Sequence, residues 1–223
     1  MVGNIWKKSA HVLSLKQTNI LSAAVVIMAT ILLSALLGFI KMRLLSNYFG
    51  DSRPLDIYLA AFRLPDMLYQ LLVMGTIASA FIPVFSGFLS KDDQKGAYHV
   101  ANTVMSLGML VFLIATIIIF IFTEPLSKIL APGFSAAEIP LMVKLTRIMM
   151  AGQIFFIIGN FLTGILQSYH RFLLPALAPV FYNVGIIIGT VILSPTLGIY
   201  GPTYGVLLGT FLFFLNLTFS VRA

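Results

Sequence analysis

From Phe172 to Val221 no residue carries a charge. A single helix of that length would run to about 75 Å, more than twice the roughly 30 Å hydrocarbon core of a bilayer. The stretch must fold back on itself, and Ser194 to Pro202 (SPTLGIYGP) supplies two prolines and two glycines for the turn. The same reasoning applies upstream, because charge-free runs of membrane-spanning length recur between charged breaks. They lie from Gln17 to Ile40, from Met67 to Ser90 with a more polar lead-in from Leu55, between Lys95 and Glu124, and from Ile148 to His170. Only 9% of the residues are charged, where a soluble domain carries about 25%. With 59% hydrophobic residues and a mean hydropathy of +1.01, the chain is read as an all-α polytopic membrane protein.

The spacing predicts one lobe of six transmembrane helices over 19–223, with spans at about 19–45, 55–89, 97–123, 145–170, 173–194 and 200–221. Residues 1–18 carry Trp6, Lys7, Lys8 and Lys16 among Ile5, Val12, Leu13 and Leu15, which suits an interfacial segment. The apolar run that follows is too long for a signal peptide and has no A-x-A site. An even span count puts both termini on one side. The basic N-terminus, the 91–95 loop and Arg171 are then expected in the cytoplasm, with 124–147 and 195–202 outside. Lys128, Lys144 and Arg147 oppose that bias, so the orientation rests on the N-terminus. There is no cysteine, which excludes disulfides and thiolate chemistry. The three histidines form no metal signature, and P-loop, GxSxG and GxGxxG patterns are absent from the sequence. Neither catalysis, a cofactor nor nucleic-acid binding is expected.

Several polar residues enter spans that otherwise read as buried in lipid. At 100° per residue, Asp56, Arg63, Asp66 and Gln70 fall within about 80° of one another, a single stripe predicted to face the bundle interior. Pro65 cannot donate to Ala61, which predicts a kink there, as in the discontinuous helices of transporter sites. The alternative is a local Arg63–Asp66 pair at i, i+3 near the interface. Lys41 and Arg43 close span one. Arg43 is read as snorkelling to headgroups, while Lys41, which follows the small-xxx-small pair Ser34 and Gly38, is read as pointing into a cavity that holds an anionic headgroup. Gln153, Asn160 and Gln167 recur every seven residues, either lining a wet cavity or bonding neighbouring helices. Gly185 with Gly189 and Gly205 with Gly209 are GxxxG pairs, read as helix packing.

The order of motifs resembles the MurJ (MviN) family of lipid II flippases, in the superfamily of MATE exporters. The stretches that carry it are LLGFIKMRLLSNYFG, LDIYLAAFRLPDML, GTIASAFIPVFSGF, LAPGF and LQSYHRFLLPALAPVFYNVG, in the family's order and spacing. The resemblance implies a six-helix N-terminal lobe and alternating access. Its substrate would be a lipid-linked glycan whose pyrophosphate is held in a cationic cavity, in the bacterial cytoplasmic (inner) membrane. Lys41 falls where the family has an arginine, Asp56 matches the acidic residue opening span two, Arg63 matches the basic residue of AF[KR]xPN, and Asp66 stands in place of its asparagine. Ala35 and Tyr69 stand where the family usually has functional arginines, Met42 replaces an acidic residue, and Met74 replaces the glutamate of an EG pair. Such losses imply a weaker or less charged headgroup site. The family's chains are about twice as long, with a second homologous lobe, so the expectation is a fragment, a split gene or a degenerate half that transports only with a partner lobe or as a homodimer. Three readings follow from this: a flippase lobe in contact with membrane lipids and its lipid-linked substrate, an exporter of polysaccharides or drugs, and a non-transporting scaffold.

Overall fold

The computed structural model describes residues 20–70, 81–169 and 171–221, and among them every regular element is helical. In lipid each backbone group must find a partner inside the protein, which leaves helices as the solution for spans of this kind. The order is α1 (Ile20–Phe49), α2 (Arg53–Ala61), α3 (Arg63–Tyr69), α4 (Ile82–Ser90), α5 (Gln94–Ile121), α6 (Thr123–Leu130), α7 (Ile139–Ser168), α8 (Leu173–Ile188), a π-helical turn (Gly189–Leu193), α9 (Ser194–Leu197) and α10 (Tyr200–Val221). Five helical stretches among the described residues are long and apolar enough to cross a membrane: Ile27–Phe49, Gln94–Ile121, Ile139–Ser168, Leu173–Leu197 and Tyr200–Thr218. The predicted second span passes through 71–80 and the interfacial segment lies in 1–18, both outside the described residues.

The helix ends follow local chemistry. Asp93 caps α5 by accepting the Gly96 N–H at 2.9 Å, and Pro125 ends the run of α5 because it cannot bond back to Ile121. Pro140 sits in the first turn of α7, where a missing N–H costs nothing. The helix starts earlier than the expected 145–170 span, at Ile139, so Lys144 too is helical. Helix α1 likewise continues to Phe49, placing Lys41 and Arg43 two turns inside the helix and not at its end. The predicted turn after span five falls at Gly198, whose φ of +56° with ψ of −133° suits only glycine.

Helix α7 is the hub, packing against α2 to α6 and α10, while α8 and α10 form the closest pair. Without a hydrophobic drive between helices in lipid, close backbone approach decides such pairs. A Cβ on Gly185 would lie 2.2 Å from the Gly209 Cα, and one on Gly189 would lie 2.3 Å from the Gly205 Cα. The two GxxxG motifs therefore mesh with each other, in antiparallel register. Farther along, Phe156 stacks on Phe213 at 4.6 Å, and Phe81, Phe85, Phe112 and Phe161 fill the layer between α4, α5 and α7. Helices α1 and α5 lie at the periphery, with 6% of their apolar windows buried against 50% for α10.

Candidate functional site

Proline decides where the polar helix breaks. Pro65 leaves the Ala61 carbonyl without its helical donor, and the Thr146 hydroxyl of α7 donates to that oxygen at 3.1 Å, both residues fully buried. Phe62 separates α2 from α3, one turn before the proline, because the ring displaces the preceding turn. Buried Leu55, Ile57, Tyr58, Ala61, Leu64 and Leu68 then occupy the packed face. Asp56, Arg63, Asp66 and Gln70 are all exposed, so the stripe lies on the open side of the lobe and not in its interior as expected. The physical reason is desolvation: apolar side chains take the contact with α7, and charges keep the side left uncovered.

The local Arg63–Asp66 pair does not form. Arg63 donates through Nη1 to the carbonyl of Leu130, at the end of α6. Nearby, Arg53 pairs with Glu138 at 3.0 Å, donates to the Gly133 carbonyl at 3.3 Å and covers the Phe134 ring at 5.5 Å. Two arginines of the α2–α3 unit thus clasp the 130–138 turn. Glu138 also accepts from the Ser135 N–H and hydroxyl, and these bonds, with Arg53, hold its carboxyl below the usual glutamate range.

Asp66 interacts electrostatically with Lys41, across the gap between α3 and α1, and with the phenol of Tyr182 on α8. Lys41 is half-buried, about 12 Å before the end of α1 at Phe49. The small residues ahead of it divide. Ser34 accepts from Asn183 of α8 at 3.2 Å, which ties α1 to α8, whereas a Cβ on Gly38 would meet nothing within 4 Å. Gly38, one turn from Lys41, is therefore not the close-packing contact expected. Asp66 on α3 thus lies within electrostatic range of a cation on α1 and a phenol on α8 without a direct ion pair, groups that can offer charge and hydrogen bonds to an anion. Arg43 is exposed.

The seven-residue polar line on α7 splits by height. Gln153 is buried, and Asn160 accepts from the Tyr69 hydroxyl at 3.4 Å while donating to the Phe156 carbonyl at 2.7 Å. Gln167 lines a cleft of about 630 Å³ with Ser86, Asp92, Gln94 and Ser168. Tyr69 also packs edge-on against Phe156 at 5.0 Å, so this side chain ties α3 to α7. Sequence reasoning missed Tyr182 and Thr146. An uncharged aromatic and a mid-helix threonine give no signal without their partners, although Thr146 could have been sought as the acceptor-filling hydroxyl that Pro65 demands. Met74 lies outside the described residues.

Comparison with known proteins agrees with this geometry. The family model described as lipid II flippase MurJ matches residues 45–223. A probable lipid II flippase MurJ of Buchnera aphidicola is 29% identical, over 79% of this chain and 35% of its own length. One of Bdellovibrio bacteriovorus is 32% identical over 92% of this chain and 40% of its own. A solved structure of lipid II flippase MurJ in an inward closed conformation superposes with a TM-score of 0.74 at 30% identity, covering 88% of this chain and 42% of that one. The chain thus spans about two fifths of the length of these relatives. A match over most of the chain, in sequence and in helix arrangement alike, makes this multi-pass membrane protein a member of the MurJ family of lipid II flippases.

Proposed function

We propose that the chain is the N-terminal, six-span lobe of a transporter that moves lipid II, a lipid-linked glycan, across the bacterial cytoplasmic membrane by alternating access. The observation that carries the reading is the uncovered polar stripe of α2 and α3, whose Asp66 lies within electrostatic range of Lys41 on α1 and Tyr182 on α8. The exposed stripe of Asp56, Arg63, Asp66 and Gln70 lies on a side that a second lobe, or a second copy, would cover. Between two such lobes the stripe would line a water-filled cavity, which is where intramembrane charges are affordable.

In this mechanism the Asp66 carboxylate, within electrostatic range, favours the charged form of Lys41 while the cavity is empty. An incoming pyrophosphate, with more charge and more acceptor oxygens than a carboxylate, draws Lys41 away from Asp66, and Tyr182 donates its hydroxyl to the same anion. Release on the other side returns Lys41 to Asp66. No bond is made or broken, so the protein acts as a carrier and not as an enzyme. Gln153, Asn160 and Gln167 serve helix packing at two heights and the cleft wall at the third. A second reading, an exporter of a less charged substrate in the same superfamily, is favoured by Tyr69: it stands where the resemblance places an arginine, and its hydroxyl is engaged with Asn160.

The test is rescue of cells depleted of their own flippase, with the chain supplied together with its partner lobe. Lys41→Ala should abolish rescue, Lys41→Arg should retain or improve it, and Arg43→Ala should have little effect. Full rescue by a Lys41→Ala protein that is present in the membrane would sink the cationic-site mechanism and move the exporter and the scaffold ahead.

A further inference from the structure

On the periphery of the lobe, away from the polar stripe, α5 and α7 run antiparallel and leave a groove of about 310 Å³ between them. Its α5 wall is Leu113, Thr116, Ile117, Phe120 and Ile121, and its α7 wall is Arg147, Met150, Ala151 and Ile154. Both sets follow the i, i+3, i+4, i+7 spacing of a single helix face. From the level of Phe120 and Arg147 the groove descends seven residues on each helix, about 10 Å into the apolar part of the spans. The small side chains Thr116 and Ala151 leave the hollow.

Two polar atoms in this apolar lining are buried without a hydrogen-bond partner, the Thr116 hydroxyl oxygen and the Arg147 Nε. The Ser127, Thr163 and Ser194 hydroxyls are in the same state, while other threonines are satisfied within their own helix. Thr103, Thr123, Thr190, Thr203 and Thr218 all donate back to a carbonyl four residues earlier. Arg147 lies 4.7 Å above the Phe120 ring and donates through Nη2 to the Phe120 carbonyl at 3.2 Å, which orients the guanidinium at the mouth of the groove. Glu124 is close enough to interact with it, but Glu124 is paired with Lys128 at 2.7 Å. A cation at the mouth, a free hydroxyl one helical turn deeper and a dry channel below form two polar tiers above an apolar one. That sequence matches a phosphate, an ester carbonyl and an acyl chain.

We propose that this groove binds one anionic phospholipid of the surrounding bilayer, its phosphate on Arg147, an ester carbonyl on Thr116 and an acyl chain between Ile117, Ala151 and Ile154. The site needs only the membrane placement of the chain and is independent of the transport reading. The guanidinium presents paired donors to the phosphate, and Lys144, exposed one turn earlier, adds positive charge without touching the groove. The test is titration of the purified chain with phosphatidylglycerol and with phosphatidylcholine, counting retained lipids by native mass spectrometry. The expected result is one tightly held phosphatidylglycerol, preferred over phosphatidylcholine. Arg147→Gln should weaken phosphatidylglycerol by about tenfold, the loss of one charge-assisted hydrogen bond, and Arg147→Lys should recover part of it. Ala151→Leu, on an exposed position that the fold does not use, should weaken both lipids by filling the hollow. Equal binding of the two lipids by the unmutated chain would overturn the proposal, as would an equal loss from Lys144→Gln, which marks diffuse surface charge. If Ala151→Leu changed the oligomeric state and left lipid binding intact, the groove would be a protein interface and the lipid site would be wrong.

Discussion

Thr146 shows how much one hydroxyl can carry in a membrane helix. It satisfies the Ala61 carbonyl that Pro65 orphans, inside a fully buried layer where water cannot substitute. Thr146→Val keeps the shape and removes the donor, and it should lower stability by about 1–3 kcal/mol, the cost of an unpaired buried carbonyl. Thr146→Ser should recover most of that; equal thermal midpoints for the valine and serine variants would show that the carbonyl finds another partner. Arg63 poses a different question, since its guanidinium is exposed yet held by Leu130. In this cysteine-free chain, Arg63→Cys is expected to react with a membrane-impermeant thiol reagent when the partner lobe is present, because the stripe then borders water. Ile118→Cys, on the apolar periphery of α5, should stay protected, and equal protection at both positions would remove the water-filled cavity from the mechanism.

At the scale of the element, glycines of one motif class have opposite roles. Gly185→Ala would place a methyl group 2.2 Å from the Gly209 Cα, where only movement of the whole helix relieves the clash. The expected outcome is separation of α8 from α10 and a loss of about 1–3 kcal/mol or more, read as reduced folded yield and a lower thermal midpoint. Gly38→Ala meets nothing within 4 Å and should be neutral or slightly stabilising, since alanine is the better helix former. A similar loss from both would mean that the α8–α10 contact is not what holds these helices. The 130–138 clasp has its own signature. The Ser135 hydrogen bonds hold the folded Glu138 carboxyl below the usual glutamate range, so its contribution is present above the unfolded value and is lost as pH falls through the folded one. Proteolysis at the 130–138 turn should therefore rise in the acid range below about pH 4.5, and Glu138→Gln should flatten that dependence. A turn equally resistant at pH 3 and pH 7 would exclude the clasp.

For the whole molecule, the proposed arrangement is six spans with both ends in the cytoplasm. A reporter joined after Ala223 should be active only as a cytoplasmic one, and activity on the outer side would mean a miscounted span. Miscounting is most consequential at 53–90, where two short helices and α4 flank the undescribed 71–80 and the span is built from pieces. The open stripe and the peripheral helix α1 give the lobe one side that its described helices do not cover. That side is where the proposed partner lobe would meet this one.

Membrane placement and the helical architecture of the described residues followed from sequence because a bilayer imposes length and charge limits on each segment separately. The GxxxG motifs were legible as packing faces for the same reason, small size being a local property. The break near Pro65 was legible to within a turn, since a missing N–H is also local. Partnership was not. Nothing in the chain order says that Gly185 meets Gly209, that Thr146 serves Ala61, or that Asp66 comes within electrostatic range of Lys41 and Tyr182 while Arg63 turns to Leu130. The stripe on α2 and α3 was visible as a face, but its direction depended on which neighbour took the opposite one. Arg147 read only as a charge opposing the orientation bias, because only the packing of α5 against α7 could bring Phe120 beneath it. Each of these outcomes joins residues far apart in the chain, and contact between them depends on how whole helices pack, which no single segment encodes.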